Sequence, residues 1–444
     1  MIIYWLIFLL YVLFAYRDYR KAILLWFPFQ LLFNECVCLK YTSPAVTLVL
    51  AVDVVVIFFS IWKGGMNNRN KFLFSGIMLA YVFSFFLSNI LSGNFISVLT
   101  NTIKYFITNF LYLIALQYAI KSIKDIKIII LGIILVGFAI SLLAIYEVIA
   151  HDNPILDYVY YNTPSGLIDG KMYYVPPSAS YTGDIQIRYG GVRAYSFFHI
   201  HIFFGVTCVI LLYVLMYFWY NASSVISKYK IPYLISIGLL ILGTFLSNSK
   251  TPLLGLFIVT LSFFKLKQIF NYKVILSLAC CIIIVYTYFP NYLINLTALI
   301  DDKVAQEGGG SSVALRMMQF NSAFELFLKS PLWGYGIAGP EVSSYVKSQI
   351  LGLESSWLQV PIQRGLIGLL LYIYLYIFIY NKLKIYMNKK QLYGLIGSFL
   401  AMETATGVLP FSLFGGVIIV IYKYMQFNKI IQRYKLIKKQ ASID

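Results

Sequence analysis

The sequence predicts an all-α fold, a polytopic transmembrane bundle of about 12–14 helices with two long extracytoplasmic loops. Of the 444 residues, 60% are hydrophobic and 12% are charged, whereas soluble domains contain about 45–50% apolar and about 25% charged residues. Apolar runs recur near the length of about 20 residues that a helix needs to cross a bilayer. A transmembrane barrel would instead show short segments of alternating polarity.

Residues 1–16 form the first predicted span. They lack the basic start and the small-residue cleavage site of a signal peptide, so we expect this segment to be retained. The later predicted spans are 22–39, 43–62, 72–91, 95–120, 128–149, 196–220, 231–248, 252–264, 274–290, 358–380, 392–406 and 408–422. The pairs at 231–264 and 392–422 contain short halves, which indicates tilted or re-entrant helices.

The positive charge of the chain follows its predicted topology. The formal net charge is +18, with 35 Lys and Arg residues against 17 Asp and Glu residues. Most of the basic residues lie in short segments that fall on one side if the spans alternate, as the positive-inside rule requires of cytoplasmic loops. This pattern places the N-terminus outside and the C-terminal tail inside. The basic excess therefore orients the protein in the membrane and does not indicate nucleic acid as a partner.

The spans and loops divide the chain into segments of different kinds. They are N-terminal helices at 1–149, a first extracytoplasmic loop at 150–195, central helices at 196–290, a second extracytoplasmic loop at 291–357, C-terminal helices at 358–422 and a basic cytoplasmic tail at 423–444. Long loops in a compact protein usually have a function. More than half of the 17 acidic residues lie in the two loops, so we expect the chemistry on the outer face.

The outer face limits the chemistry that is possible. The sequence contains no nucleotide-binding G-x-x-x-x-G-K-[ST] motif, and ATP is not supplied outside the cytoplasm. A reaction there must use a substrate that was activated beforehand. A sugar linked to a lipid diphosphate meets this requirement, because its leaving group is already anionic and already anchored in the bilayer.

Cations on the outer face are candidates for binding the departing diphosphate, whose new negative charge needs a metal ion or fixed positive groups. Arg193 directly precedes a predicted span, Lys250 lies at the tip of a predicted helical hairpin, and Arg316 begins a helical run. Arg188, in the first loop, is a further candidate. The alternative is that these side chains only anchor the protein at the membrane interface.

The sequence predicts neither a metal site nor a cofactor. Asp301 and Asp302 are adjacent carboxylates, but no third ligand is spaced to complete a site. His199 and His201 are two residues apart, a spacing that does not put them on one face of a helix. The five cysteines lie in or beside apolar runs, without the spacing of a zinc or redox site.

An attacking sugar hydroxyl needs a base, and Glu354 is the candidate. It stands just before an apolar span, and a carboxyl group with an ordinary pKa of about 4.3 is ionised at neutral pH. The alternative is that Glu354 only caps the N-terminus of the following helix. Tyr189, Tyr195 and His199 are candidates for contacts to the sugar or the acceptor, although tyrosines also form interfacial belts.

A set of ordered motifs resembles those of the bacterial O-antigen polymerases and ligases, membrane glycosyltransferases that use undecaprenyl-diphosphate-linked glycans. In the late loop, Glu354-Ser355 is followed by nine residues and then by Gly365-Leu-Ile-Gly368. The ligases have His, then Asn, Ser or Gln, nine residues and G-x-x-G. The spacing and the glycines agree with the family, and Glu replaces His.

The other motifs lie earlier in the chain. Arg193-Ala-Tyr-Ser-Phe197 is similar to the family's R-x-x-S/T-F entry to a span, and Ser249-Lys250 is similar to its S-R hairpin tip, with Lys in place of Arg. Arg316 followed by Pro331-Leu-Trp-Gly334-Tyr-Gly336 is similar to the family's R…P-x-x-G-x-G stretch. Residues 1–150 agree with the family only in hydropathy.

The resemblance implies a metal-independent, inverting glycosyl transfer on the outer face of the bacterial cytoplasmic membrane. Glu354 would act as the base, while Arg193, Lys250, Arg316 and Arg188 would hold the diphosphate. The implied partners are the bilayer and the lipid-linked oligosaccharide, as donor and as acceptor, with a chain-length regulator protein as a further candidate. The replacement of His by Glu suits the polymerase branch.

Two alternatives to a polymerase stay open at this point. A ligase would use the same chemistry to move a finished glycan onto a lipid core. A lipid-linked oligosaccharide flippase would form no bond and would line a central cavity with charges at membrane depth. The deep charged residues are Asp53, Lys104, Glu147 and Glu403, and they are scattered along the sequence. Large outer loops rich in ionisable residues favour an enzyme.

Overall fold

Helices form most of the regular structure in the computed structural model, which confirms the predicted all-α membrane fold. The structure describes residues 2–33, 37–40, 45–64, 72–91, 95–162, 167–168, 171–172, 187–188, 191–198, 200–226, 229–264, 313–336, 355–406, 409 and 411–440. The predicted span 274–290 lies outside these residues, as does most of both long loops.

The helices, numbered in chain order, follow most of the predicted apolar runs. They are α1 (Ile2–Arg17), α2 (Tyr19–Phe29), α3 (Leu48–Trp62), α4 (Ser75–Leu91), α5 (Phe95–Phe106), α6 (Tyr112–Ala119), α7 (Ile123–Ala150), α8 (Pro154–Asn162), α9 (His201–Asn221), α10 (Ser223–Ile226), α11 (Lys230–Leu246), α12 (Lys250–Phe263), α13 (Val313–Lys329), α14 (Ser356–Leu383), α15 (Lys389–Thr406) and α16 (Phe411–Gln440). The strands of the described residues form short antiparallel pairs, β1 (Cys38–Lys40) with β2 (Val46–Thr47), β3 (Leu167–Ile168) with β4 (Lys171–Met172), and β5 (Ile187–Arg188) with β6 (Gly191–Val192).

Three of the described helices, α7, α9 and α14, are long and apolar enough to cross a membrane. Helices α1, α3, α4, α11 and α12 are apolar but shorter. The most apolar part of α9 is 83% buried, compared with 56% for α7 and 44% for α14. Helix α9 is therefore the central helix, and α7, α11, α12 and α15 pack around it. The total number of crossings stays a prediction.

The prediction of a single span at 22–39 is wrong. Helix α2 begins earlier, because the Asp18 carboxylate caps it by accepting the backbone N–H of Lys21 (3.1 Å), and it ends at Phe29. A 3-10 turn follows it, and the chain then forms β1, which pairs with β2. An apolar run does not distinguish a helix from a short buried strand, which is why hydropathy alone merged the two elements.

Two other segments differ from simple spans. The predicted span 95–120 contains a π-helical turn at Ile107–Leu111, between α5 and α6. Such a turn adds a residue to the helix and changes the face that later side chains occupy. Helix α16 continues to Gln440, so most of the basic tail at 423–444 is helical. Its location in the cytoplasm stays a prediction.

Basic residues in the short loops join neighbouring helix ends in pairs. The Arg20 guanidinium pairs with the Asp125 carboxylate (2.9 Å) and so joins the start of α2 to the start of α7. Lys63 donates a hydrogen bond to the Tyr16 carbonyl, and Lys390 donates one to the carbonyl that follows α12. The positive-inside rule places all these loops on the same side. The packing therefore agrees with the predicted alternation of the spans.

Candidate active site

The opposite end of the bundle gathers the motif segments. We call it the motif end, and it comprises Glu147 on α7, residues 193–197, the turn 247–250, Ser355 at the start of α14 and Thr404 on α15. These segments are far apart in the sequence, but each belongs to a helix end that the predicted topology places outside. Hydrogen bonds and close contacts join them in pairs.

The segment 193–197 is anchored by the buried carboxylate of Glu147. One oxygen, Oε2, accepts the backbone N–H groups of Tyr195 (3.0 Å) and Ser196 (2.7 Å) and a side-chain N–H of Asn153 (3.0 Å). Ser196 has a left-handed φ of 55°, and its hydroxyl donates to a carbonyl on α7 (2.7 Å). A carboxylate that accepts several N–H groups is stabilised even when it is buried. Helix α7 therefore fixes the backbone beside the candidate arginine.

The predicted hairpin tip lies next to this segment. Helix α11 ends at Leu246 and α12 begins at Lys250, so Lys250 occupies the tip, as the sequence predicts. The backbone N–H of Ala194 donates to the Leu246 carbonyl (3.0 Å). The backbone beside half-buried Arg193 is thus bonded to the helix that leads into the turn with Lys250.

Helix α9 packs closely against the same tip. A Cβ atom at Gly205 would lie 2.5 Å from both the Ser247 hydroxyl oxygen and the Pro252 ring, so only glycine permits this approach. The Tyr195 ring lies edge-on to His201, with 5.4 Å between the ring centres. Tyr195 is 4% exposed, so its ring belongs to the interior of the motif end. Its predicted role as a sugar contact stays a prediction.

The two glycine motifs bind each other through their backbones. Three hydrogen bonds join them, from the N–H groups of Tyr335, Gly336 and Leu366 to the carbonyls of Ile362 (2.8 Å), Gln363 (2.9 Å) and Pro331 (2.7 Å), respectively. Helix α14 is broken at Gly365, which has φ of 63° and ψ of −165°. Because this kink interrupts the internal hydrogen bonds of the helix, its carbonyls can accept from the second loop.

No side chain would fit inside this backbone contact. A Cβ atom at Gly365 would lie 2.1 Å from the Leu332 carbonyl oxygen, and a Cβ atom at Gly334 would lie 2.5 Å from the Arg364 nitrogen. Both glycines have positive φ angles, of 63° and 70°. The glycine spacing in the sequence therefore encodes a contact that holds the end of α13 against the first turns of α14.

Helix α15 joins the hairpin to the start of α14. Trp357 donates from its indole N–H to the Thr404 hydroxyl (3.0 Å), and α12 packs along α15. The neighbouring Glu403 is buried and accepts hydrogen bonds from the hydroxyls of Tyr372 and Tyr376 and from the backbone N–H of Leu409. The hairpin tip and the helix that follows Glu354 are consequently held by one element.

The structure describes only part of the predicted site. At the motif end lie Arg193, Lys250 and Tyr195. Outside the described residues lie Glu354, His199 and Tyr189. The backbones of Arg188 and Arg316 lie in β5 and α13, and no position is described for their side chains. Among the described residues, no group of three or more His, Cys, Asp or Glu side chains is close enough together to hold a metal ion. The roles of the predicted residues stay predictions.

Sequence reasoning missed the structural part that Glu147 and Glu403 play at the motif end. In the sequence both are isolated charges at membrane depth, whereas in the structure each accepts hydrogen bonds from the loop or helix that follows it. A signal for this was present, because a carboxylate near the end of a span is costly unless nearby N–H or O–H groups bind it. Asp53, deeper in the bundle, accepts a hydrogen bond from the indole N–H of Trp26 (2.8 Å).

Replacing Glu147 with alanine is expected to destabilise the motif end. The N–H groups of Tyr195, Ser196 and Asn153 would lose their shared acceptor, and each unsatisfied buried donor costs about 1–3 kcal/mol. The melting temperature of the purified protein should fall clearly. Glu147→Gln, which keeps one acceptor oxygen, is the matched variant, and its melting temperature should lie between those of the wild type and Glu147→Ala. Wild-type melting of Glu147→Ala would contradict this assignment.

Residues 235–373 match a family model described as O-antigen ligase. The matched part begins in α11 and ends in α14, so it contains the hairpin tip, α13 and both glycine motifs, whereas Arg193 precedes it. No curated protein matches the chain. Over residues 235–373, the family match confirms the resemblance that the motifs indicate.

Proposed function

We propose that this chain is a polysaccharide polymerase that joins undecaprenyl-diphosphate-linked oligosaccharide repeat units by glycosyl transfer. The observation that carries the proposal is a chain of contacts between the motif segments. Residues 193–197 bond to the helix that leads into the turn 247–250, the two glycine motifs bond to each other, and α15 joins the start of α14 to α12. Since the positive-inside rule assigns the basic end to the cytoplasm, the motif end faces outward from the cytoplasmic membrane. The family match supports glycosyl transfer as the class of reaction.

In the proposed reaction, the Glu354 carboxylate takes the proton of an acceptor hydroxyl while that oxygen forms a bond to the anomeric carbon of the donor sugar. The bond between this carbon and the diphosphate oxygen breaks, and the configuration at the carbon inverts. The departing lipid diphosphate gains negative charge. Arg193, Lys250, Arg316 and Arg188 stabilise that charge, which requires no metal ion.

A ligase is the second candidate, because the matched family model carries that description. The late-loop His of the ligases is Glu354 here, which favours the polymerase. Transport without bond chemistry is disfavoured by the deep acidic residues. Asp53, Glu147 and Glu403 each accept hydrogen bonds from neighbouring groups, an arrangement that stabilises a fixed fold and does not line a polar path.

Reconstitution separates these candidates. The purified chain is placed in vesicles with undecaprenyl-diphosphate-linked repeat units, and the products are resolved on a gel. A ladder of increasing length supports polymerisation. A single addition to a supplied lipid core, without a ladder, supports the ligase instead. Unchanged glycan in both mixtures contradicts glycosyl transfer altogether.

Arg193→Ala is expected to slow ladder formation by about ten- to a hundredfold, because a hydrogen bond to a charged group contributes about 1.5–3 kcal/mol. Arg193→Lys should recover part of the rate, since lysine keeps the charge but not the two-pronged geometry of arginine. The initial rate is measured with equal amounts of folded protein. Lys329→Ala, at the exposed end of α13, is the control. A wild-type rate for Arg193→Ala would remove Arg193 from the mechanism.

A further inference from the structure

A buried arginine lies where α14 passes α4. Arg364 is 4% exposed, and its guanidinium carbon lies 4.3 Å from the centre of the Tyr81 ring and 4.7 Å from that of Phe85. Its Nε and Nη1 atoms are buried and have no hydrogen-bond partner in the part of the chain that the structure describes. The ion pairs of that part do not include Arg364. A permanent positive charge is thus buried with two unpaired donor atoms.

This burial is unfavourable for the protein alone. Arginine stays charged at every physiological pH, and taking an unpaired charge out of water is strongly unfavourable. The cation–π contacts with the two aromatic rings offset only part of that cost. The backbone at Arg364 cannot move to expose the side chain, because it packs tightly against the segment that follows α13. Gly334 lies against the backbone of Arg364, and Gly365 lies against the backbone of Leu332. An anionic ligand would balance the charge.

The buried carboxylate of Glu403 does not play this part. Its oxygens accept other hydrogen bonds, Oε2 from the hydroxyls of Tyr372 and Tyr376 and Oε1 from the backbone N–H of Leu409. These partners lie on α14 and just after α15. The Arg364 guanidinium lies instead over the Tyr81 and Phe85 rings of α4.

The same two helices line a largely apolar cavity of about 390 Å³ that extends to Lys382, near the C-terminal end of α14. Ile77 on α4 and Leu371 on α14 are among its lining residues. Leu371 follows Arg364 by seven residues, which is about 10 Å along a helix axis. Large apolar side chains beside the seam, such as Phe83 and Leu370, are exposed, as expected where two helices face lipid. A cation and a space for hydrocarbon therefore lie along one seam, with the cation nearer the motif end.

We propose that the seam between α4 and α14 binds a second lipid diphosphate, with Arg364 holding phosphate oxygens and the cavity taking a part of the polyprenyl chain further from the headgroup. This inference rests on the proposed function, because a polymerase must hold two lipid-linked units at once, one as donor and one as acceptor. Arg193 and Lys250 bind the donor diphosphate. Arg364, on the α4 side of α14, binds the diphosphate of the acceptor unit.

The first test counts the lipids that bind. The full chain is stripped of lipid and mixed with undecaprenyl diphosphate, and native mass spectrometry records the number bound per chain. Wild type is expected to bind two and Arg364→Gln one, and the remaining lipid should be lost when Arg193 is also replaced by alanine. Two lipids bound to Arg364→Gln with unchanged affinity would overturn the proposal. Displacement of the second lipid by an equal concentration of phosphatidylglycerol would overturn the substrate assignment, since any phospholipid would then suffice.

Two further variants separate a ligand site from a structural charge. Without lipid, Arg364→Met should melt at or above the wild-type temperature, because an apolar chain replaces an unpaired buried charge; a clear fall would mean that the charge is structural and would overturn the site. A Cβ atom at Gly76, in the lining of the cavity, would meet nothing within 4 Å. Gly76→Leu should therefore fold normally and lower the affinity for the second lipid. Unchanged binding in Gly76→Leu would remove the cavity from the proposal.

The ladder assay separates failure of the seam from failure of the proposed function. With a donor whose own acceptor hydroxyl is blocked, Arg364→Gln should raise the KM for the acceptor about ten- to a hundredfold and leave the donor KM unchanged. If wild type makes a ladder and both KM values are unchanged in the variant, the seam is wrong and the polymerase stands. If wild type binds two lipids through Arg364 but makes no ladder, the polymerase is wrong and the binding site stands.

Discussion

Replacing Glu354 with glutamine is expected to stop chain growth while the protein still enters the membrane in normal amounts. The amide cannot take a proton from the acceptor hydroxyl, and loss of a general base typically lowers the rate by about 10²–10⁴-fold. The measurement is the initial rate of ladder formation with purified variant. Glu325→Gln, an exposed acidic residue on α13, removes the same charge from the same outer loop and is the control. Normal ladders from Glu354→Gln would exclude this residue as the base.

Glu354→His distinguishes a base from a helix cap. Imidazole accepts a proton near neutral pH, so histidine should retain more activity than glutamine. The base must be unprotonated to act, so activity falls as the pH drops through its pKa. The histidine variant should lose activity below about pH 6.5, whereas the glutamate enzyme should lose it only near pH 4.3, at reference pKa values. If Glu354 only capped α14, neither substitution would move the pH profile.

Hydropathy and spacing predict much of this fold because they depend on local sequence. The α11–α12 hairpin with Lys250 at its tip, the helix that carries Arg316 and the all-α class each follow from one continuous segment. The error at 22–39 has the same origin. The apolar run there does not reveal that the chain forms a helix, a turn and a strand in succession.

The contacts that build the motif end join residues far apart in the chain, so no local pattern predicts them. Glu147 binds the N–H of Ser196, which lies 49 residues later, and the sequence shows only a lone acidic residue within a span. In the sequence, Arg364 is one of the nine residues between Glu354-Ser355 and Gly365, and only the structure shows its burial against α4. The glycine motifs are visible in the sequence, but only coordinates reveal that one motif lies against the other.

Gly365→Ala is expected to have one of the largest structural effects among Gly-to-Ala substitutions at the glycines that the structure describes. The new Cβ would lie 2.1 Å from the Leu332 carbonyl oxygen and 2.2 Å from its carbon, and φ at this position is +63°. With ψ of −165°, Gly365 occupies a backbone region that is essentially restricted to glycine and costs other residues about 1–3 kcal/mol, and overpacking adds about 1–3 kcal/mol. Because the neighbour is backbone, it has no rotamer by which to move away. The end of α13 must then separate from α14.

Substitutions at two other glycines separate the cost of the backbone conformation from the cost of the steric clash. Gly64 has φ of +68° with nothing within 4 Å of a new Cβ, so Gly64→Ala reports the cost of a positive φ alone; Gly238→Ala, in open space on α11, reports neither cost. Melting temperatures should fall in the order Gly238→Ala, Gly64→Ala, Gly365→Ala. Ladder formation should be lost only in Gly365→Ala, because the backbone contact positions the chain that enters α14 directly after Glu354. Equal melting of Gly64→Ala and Gly365→Ala, with full activity in both, would show that the two glycine motifs are not held together in the working enzyme.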